Sequence, residues 1–557
     1  MRKLLLFILL LAMSSPTFAQ HNHGDHTQEI NHVMACRSGV NYIENLPSPK
    51  LMNGVGSSSL KIKTSSELAQ KYFSQGVSLL HCFWDFEAFR SFKEAIRIDS
   101  TAIMPYWGIL HTILFIDNDE FDEEEEIALE KLKVLSETAE GYVALYSKGI
   151  IDYVETRNPA GYLKQLENIV HQYPQDVDAK LFLALFNMSG YDENMEPRKG
   201  TLYSEYLLRD LLISNPENHG VHHYWIHQME NCCPEEALAS AHKMAALAPE
   251  SGHIVHMPGH IYYKLGDYKK AHDQFITAMK VDSTYMADQN IKEVDNWNYI
   301  HNLNYLLANC AQDGRYKEGL FYAERLEKMV AVPDRVDMHR EAYFYQGIIT
   351  PSIMEMRFGF WEKAVEKFEA ITNQDSLYGR AAMDYKTAFT LFSSGMHAIT
   401  KNDPVTAKLK LDQLDALFWR NSRLEHKMEK LNNFQMKTLL VASVELEGNI
   451  LIAEKNYDKG ITTLKKAVKM EKDLGYSEPP YYPRPTLLSL AAAYIQKGAY
   501  EKAESSYEKI LGKHPNSSLA YWGLMKLYKK TKQQDKYEGI KSKFDAVIQY
   551  GDKDVFR

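Results

Sequence analysis

One spacing recurs along this chain of 557 residues and constrains its fold more than any other feature. In "YFSQGVSLLHCFWDFEAFRSFKEAIRIDS", Gly76 is followed by Ala88, Phe92 and Ala95. "PGHIYYKLGDYKKAHDQFITAMKVDS" repeats the pattern with Gly259, Ala271, Phe275 and Ala278, and "EGNILIAEKNYDKGITTLKKAVKME" does so with Gly448, Gly460, Leu464 and Ala467. "AAAYIQKGAYEKAESSYEKILGKHP" supplies Ala491, Ala503, Tyr507, Ile510 and a closing Pro515, while "EEALASAHKMAALAP" supplies Ala237, Ala241, Met244 and Pro249. The spacing describes pairs of antiparallel helices: a small residue on the first lets the second approach, and a bulky residue on the second fills the groove between them. Glycine followed two residues later by an aromatic joins the pair, as at Gly266 and Tyr268, Gly314 and Tyr316, Gly359 and Trp361, and Gly498 and Tyr500.

These residues together resemble the tetratricopeptide repeat, from about Ser66 to Asp545. The resemblance implies an all-α fold, an α-solenoid of stacked helix-turn-helix units wound into a right-handed superhelix of roughly nine or ten helix pairs. "RNPAGYLKQLENIVHQYP" and "PVTAKLKLDQLDALF" keep the helical period but lack the small residues, so irregular pairs are expected there. No alternating strand pattern occurs. The expected organisation is a signal peptide (1–19), a polar, flexible leader (20–64), an N-terminal array (65–330) and a C-terminal array (331–557).

The first nineteen residues, "MRKLLLFILLLAMSSPTFA", place Arg2 and Lys3 before an apolar run and end in small residues, the layout of a cleaved secretory signal. The mature protein is therefore expected to be exported, periplasmic or secreted, with no later segment able to span a membrane. Five cysteines, Cys232 and Cys233 adjacent and the others scattered, do not form a disulfide scaffold. The formal charge is −9, and −11 once Arg2 and Lys3 leave, which argues against nucleic acid as a partner. The run from Asp117 to Glu126 reads as the acidic start of a solvated helix, and the proline-rich "SEPPYYPRP" as a rigid insertion. The leader carries His21, His23, Asp25, His26 and His32, which either scavenge Cu(II) or Zn(II) or are a plain polar tail.

Ten of the 21 histidines lie between His219 and His301. Eighteen residues before Ala237, Ala271 and Gly319 stand His219, His253 and His301, the same register on three successive first helices. In the resembled family such positions line a concave groove, which implies a ligand groove of His219, His222, His253, Tyr263, His301 and Asn304. On one helix His223, His227 and Glu230 project within about 60° of each other, a metal-ready face. His256 and His260 form a second i,i+4 pair, with Pro258 between them expected to kink or shorten the helix. Three readings follow: imidazoles satisfied by hydrogen bonds at helix interfaces, a Zn or Cu site of His223, His227, Glu230, His256 and His260, or a polar recognition groove. No nucleophile elbow, phosphate loop or dinucleotide fingerprint occurs, so no catalytic residue is assigned. The leading expectation is an exported interaction scaffold with a protein or peptide partner, the alternative a metal-binding protein or metalloenzyme. Glycan contact and a role in nutrient or polysaccharide utilisation follow from context and from no particular residue.

Overall fold

In a computed structural model the residues described are 46–113, 121–192, 195–330, 344–371, 375–425, 429–475, 477 and 480–556. The signal sequence, the leader histidines, Cys36 and Asp117–Glu120 lie outside them, and the rest of the acidic run opens the helix Asp122–Ser136. Among the described residues the chain is a succession of helices with no strand, and a lone bridge pairs Tyr191 with Pro197. Each helix packs on the next along the chain.

The small-to-bulky spacing does what its chemistry requires. A methyl group at Gly76, on α1 (Glu67–Leu80), would lie 2.5 Å from the ring of Phe92 on α2 (Asp85–Ile98). One at Gly108 of the following helix would lie 2.6 Å from the opposite side of that ring. Phe92 is thus clasped between two glycines and fully buried. Gly259 with Phe275, Gly448 with Leu464, and Gly523 with Tyr507 repeat the contact. Gly314 and Gly498 end their helices in the left-handed conformation, φ 79° and 81°, where a side chain would be strained.

The histidine-rich stretches form three first helices. They are α3 (His219–Met229), α5 (Gly252–Lys264) and α7 (Trp297–Asp313), with α4 (Leu238–Leu247) and α6 (Tyr268–Gln289) between them. Asn218 caps α3 by accepting from the backbone N–H of Val221, and Ser251 caps α5 in the same way at Ile254. Pro258 does not shorten α5, which runs unbroken to Lys264; the missing N–H removes only one bond of the ladder, to the carbonyl of Ile254.

Two long-range contacts close this face of the array. The C-terminal repeats return to its middle: Asn516 donates its side-chain amide to the Gly266 carbonyl at 3.1 Å, and the Asp552 N–H donates to the Gly314 carbonyl at 2.9 Å. Gly266 has no side chain and lets the Pro515 carbonyl into the space a Cβ would occupy. At the other end, residues 46–64, expected to belong to a flexible leader, run as an extended strap over α1, past His219 at the start of α3 and Pro249 and Glu250 ahead of α5, to the end of α6. Val55, Leu60 and Ile62 are buried, Met52 donates its N–H to Gln75 Oε1, Tyr72 donates to the Pro49 carbonyl, and Ser78 donates to the Val55 carbonyl. Composition read this segment as loose because its apolar residues are few and aperiodic, while its backbone is held by side chains of α1. The array boundary expected at 330/331 adjoins residues outside the described set, and the helices on its two sides, Tyr316–Val330 and Thr350–Phe358, pack on each other.

The Gly76→Ala variant should be destabilised by about 1–3 kcal/mol, because Gly108 prevents the Phe92 ring from retreating. Gly512→Ala, in an exposed helical site with nothing near its Cβ position, should instead raise stability by up to about 1 kcal/mol. Thermal unfolding of the two variants beside the parent checks both signs.

Candidate metal centre

Packing of α3, α5 and α7 brings six imidazoles into one dry volume. Gly220 on α3 allows close approach to His81 just past the end of α1, and this sets the height of α3 against α1. His223, His227 and His253 each offer a ring nitrogen within 4.8 Å of the other two, and so do His256, His260 and His301. All six are buried. The triads adjoin: the rings of His253 and His256 have centroids 5.7 Å apart, and those of His227 and His260 are 6.0 Å apart. Both triads use one device, an i,i+4 pair on one first helix completed by a histidine near the start of the next.

The hydrogen bonds decide where the ring protons sit. His223 Nδ1 lies 2.6 Å from the His81 carbonyl, which only accepts, so this nitrogen carries hydrogen. Nδ1 of His227 and Nδ1 of His260 face the two oxygens of Glu230, at 3.0 and 2.5 Å. Burial alone would raise the Glu230 carboxyl, but His260 and His227 hold its pKa well below the usual value, so it is an accepting carboxylate. His256 Nδ1 lies 2.8 Å from Asn302 Oδ1, and the Asn302 amide is oriented by donation to the Phe275 carbonyl at 2.8 Å. All four Nδ1 atoms therefore donate, and four Nε2 lone pairs converge: His223 on His227 at 3.1 Å, His256 on His260 at 2.6 Å. Two lone pairs at such distances repel unless a cation stands between them, either a proton or a metal ion.

His253 separates these possibilities. It is 1% exposed, and neither ring nitrogen has a hydrogen-bond partner. A proton in each gap satisfies the two pairs and leaves His253 with nothing, whereas a metal ion bound by each triad uses it. Burial, followed by neighbouring histidines, keeps the pKa values of His223, His253 and His256 well below normal, so these rings are the neutral form that ligates. Outward-facing N–H groups held by a carboxylate, a carbonyl and an amide are the supports that ligating histidines have in metalloproteins.

The residues anticipated from sequence divide in three. His223, His227, His256 and His260 come together as expected. Glu230 does not point at an ion position, because both its oxygens are taken by histidine N–H groups. His253 and His301, expected in an open groove, complete the triads. The remaining groove residues do not line an opening. His219 is held by Ser78, with burial lowering its pKa to about 4, and His222 is bonded to Ser240 and the Pro216 carbonyl. Tyr263 is buried near the ring of His514, and Asn304 is half-buried, donating to the Gln346 carbonyl. Cys232 and Cys233 belong to neither triad, and the described cysteines are unpaired with one another. Sequence reasoning missed Phe83, which packs on His223 at 4.4 Å, and Trp297, stacked on His301 at 4.5 Å. It also missed Asn302 and the His81 carbonyl. The offset between triads was a usable signal, since each joins an i,i+4 pair to the register histidine of the following repeat.

Residues 485–512 match the tetratricopeptide repeat family. No curated protein sequence matches. Among solved structures the chain is similar to the human IFIT1 dimer with m7Gppp-AAAA, at 12% identity and a TM-score of 0.33, over 88% of this chain and 91% of that one. It is similar also to yeast Tom70, at 12% identity and a TM-score of 0.33, over 85% and 90%. The APC/C hetero-tetramer Cut9–Hcn1 gives 10% identity and a TM-score of 0.29, over 88% and 89%. Superpositions this loose establish no relationship beyond the helical repeats that the chain's own helix pairs already show. Such arrays are protein-interaction scaffolds, and no described helix is long and apolar enough to cross a membrane. The chain is an all-α array of helix pairs that contains a tetratricopeptide repeat at 485–512.

Proposed function

We propose that this protein is a metalloprotein in which the repeat array encloses two first-row transition-metal ions of the Zn or Cu kind. His223, His227 and His253 hold one ion; His256, His260 and His301 hold the other. The observation that carries the reading is His253, buried with both nitrogens unpartnered beside a pair of converging lone pairs. Three neutral imidazoles suit Zn(II) and Cu alike and leave a coordination position open, the arrangement that keeps a zinc site reactive. Glu230 supplies a negative charge between the two ions and fixes the ring orientation of one ligand of each. Export, suggested by the first nineteen residues, would place loading outside the cytoplasm. The residues expected to receive a peptide are buried or half-buried, so they do not form an open groove for a protein partner.

The full chain, purified without a histidine tag and equilibrated with Zn(II) or Cu(II), should hold about two ions as read by elemental analysis. His253→Ala combined with His301→Ala should lose both, and deletion of Gln20–Asn31 should lose neither. A parent protein with an ion content near zero and no thermal stabilisation by either metal removes the proposal.

Glu230→Gln gives a sharper test. A glutamine presents one accepting oxygen and one donating amide, so only His227 or His260 can keep its Nδ1–H. The other must carry its proton on Nε2, where it blocks the lone pair. The variant should retain about one ion in place of two; unchanged stoichiometry would show that Glu230 does not orient the ligands.

The pH dependence has a definite sign. The unfolded chain protonates its histidines near the usual value of about 6.5, while buried His253 stays neutral to well below it. Its stabilising contribution is therefore present above that pH and lost as the pH falls toward the folded-state value. In metal-free protein His253→Gln should lose less stability than the parent between pH 6.5 and 4.5, as measured by denaturant unfolding.

A further inference from the structure

The histidine centre is separated from a surface cleft by one aromatic layer. The layer is Phe83, whose ring lies 4.4 Å from His223, 5.3 Å from His227 and 6.0 Å from His253, together with Trp297, stacked on His301 and 6.2 Å from His253. Both side chains also form the wall of a narrow cleft, with space for about one water, lined further by Asp85, Tyr285, Asp295 and Asn298. The centre's other sides are filled: Phe275 lies against His256, Tyr305 stacks on His260, and the strap is pressed onto His219 at Gly56.

The chemistry of the cleft suits a cation. Asp85 and Asp295 are only 3% and 4% exposed, so water screens a carboxylate charge at these positions weakly. Asn298 is 4% exposed and its amide nitrogen has no hydrogen-bond partner, leaving a donor for the oxygen of a metal-bound water. Carboxylate oxygens can replace the waters that a divalent ion sheds on leaving solvent, which lowers the cost of its passage into a dry interior. Phe83 is held under backbone strain: it lies in the left-handed region at φ 55°, rare for a bulky residue, in the short turn between α1 and α2.

We propose that this cleft is the port through which a divalent first-row cation reaches the histidine centre, with Asp85 and Asp295 drawing it in and Phe83 and Trp297 as the aromatic gate. The inference rests on the metal-centre reading and adds the route and the residues that control it. Neither aspartate belongs to a triad, so the two residues govern the rate of loading and not the final occupancy.

Loading of the metal-free full chain with Co(II), followed by the visible absorption of the ion in stopped flow, tests the port. Asp85→Asn with Asp295→Asn should slow bimolecular loading about tenfold or more and leave the final stoichiometry unchanged. Asn298→Leu, which places an apolar side chain of similar size in the cleft, should also slow it, and it decides the matter if the double variant does not fold. Trp297→Leu should quicken loading. Parent protein that takes up no Co(II) overturns the metal centre itself. Normal uptake at unchanged rates in the variants leaves the centre standing and overturns the port alone.

Discussion

A single buried carboxylate governs the inner face of this array. Glu230 accepts an imidazole N–H on each oxygen, from His227 on its own helix and from His260 on the next first helix. In a dry interior an ionised carboxylate is costly unless its oxygens are met by strong donors, and here two are supplied. Its demand sets the tautomer of both rings, and the tautomers direct both Nε2 lone pairs inward. It also ties α3 to α5 at a fixed register, so that the neighbouring histidines of each helix face one another across the gap.

The rest of the centre extends the same logic. Each inward lone pair depends on an outward N–H with a committed acceptor: the His81 carbonyl for His223, Glu230 for His227 and His260, Asn302 for His256. None of these acceptors is an ion position, yet removing one would let a ring turn its proton inward. The repeat architecture makes the arrangement inexpensive to duplicate. One helix period places a pair four residues apart, and stacking brings the start of the following first helix alongside. Three successive repeats therefore yield two similar triads without a new fold.

A solenoid of this kind ordinarily presents its inner face to a partner, and here the chain itself covers that face. The C-terminal repeats meet the turns after α5 and α7, and the strap of residues 46–64 crosses α1 and presses against His219. Covering excludes water, and exclusion of water keeps His223, His253 and His256 neutral and makes every unsatisfied nitrogen expensive. The cleft at Phe83 and Trp297 is where that cover thins to one aromatic layer.

Much of this was legible from sequence. The spacing of Gly76, Ala88 and Phe92 and its recurrences gave the helix pairs, because close packing of two helices is a local matter of small residues opposite large ones. The period also placed the histidines on the first helices and found the i,i+4 pairs His223 with His227 and His256 with His260. Tertiary structure alone decided that Glu230 braces ligands, that His253 and His301 complete the triads, and that the face is closed. Those outcomes depend on contacts such as Asn516 with Gly266, 250 residues apart, and Tyr285 with Glu87, 198 apart. Helical periodicity records which way a side chain faces along its own helix, and carries no information about which distant segment will cover it.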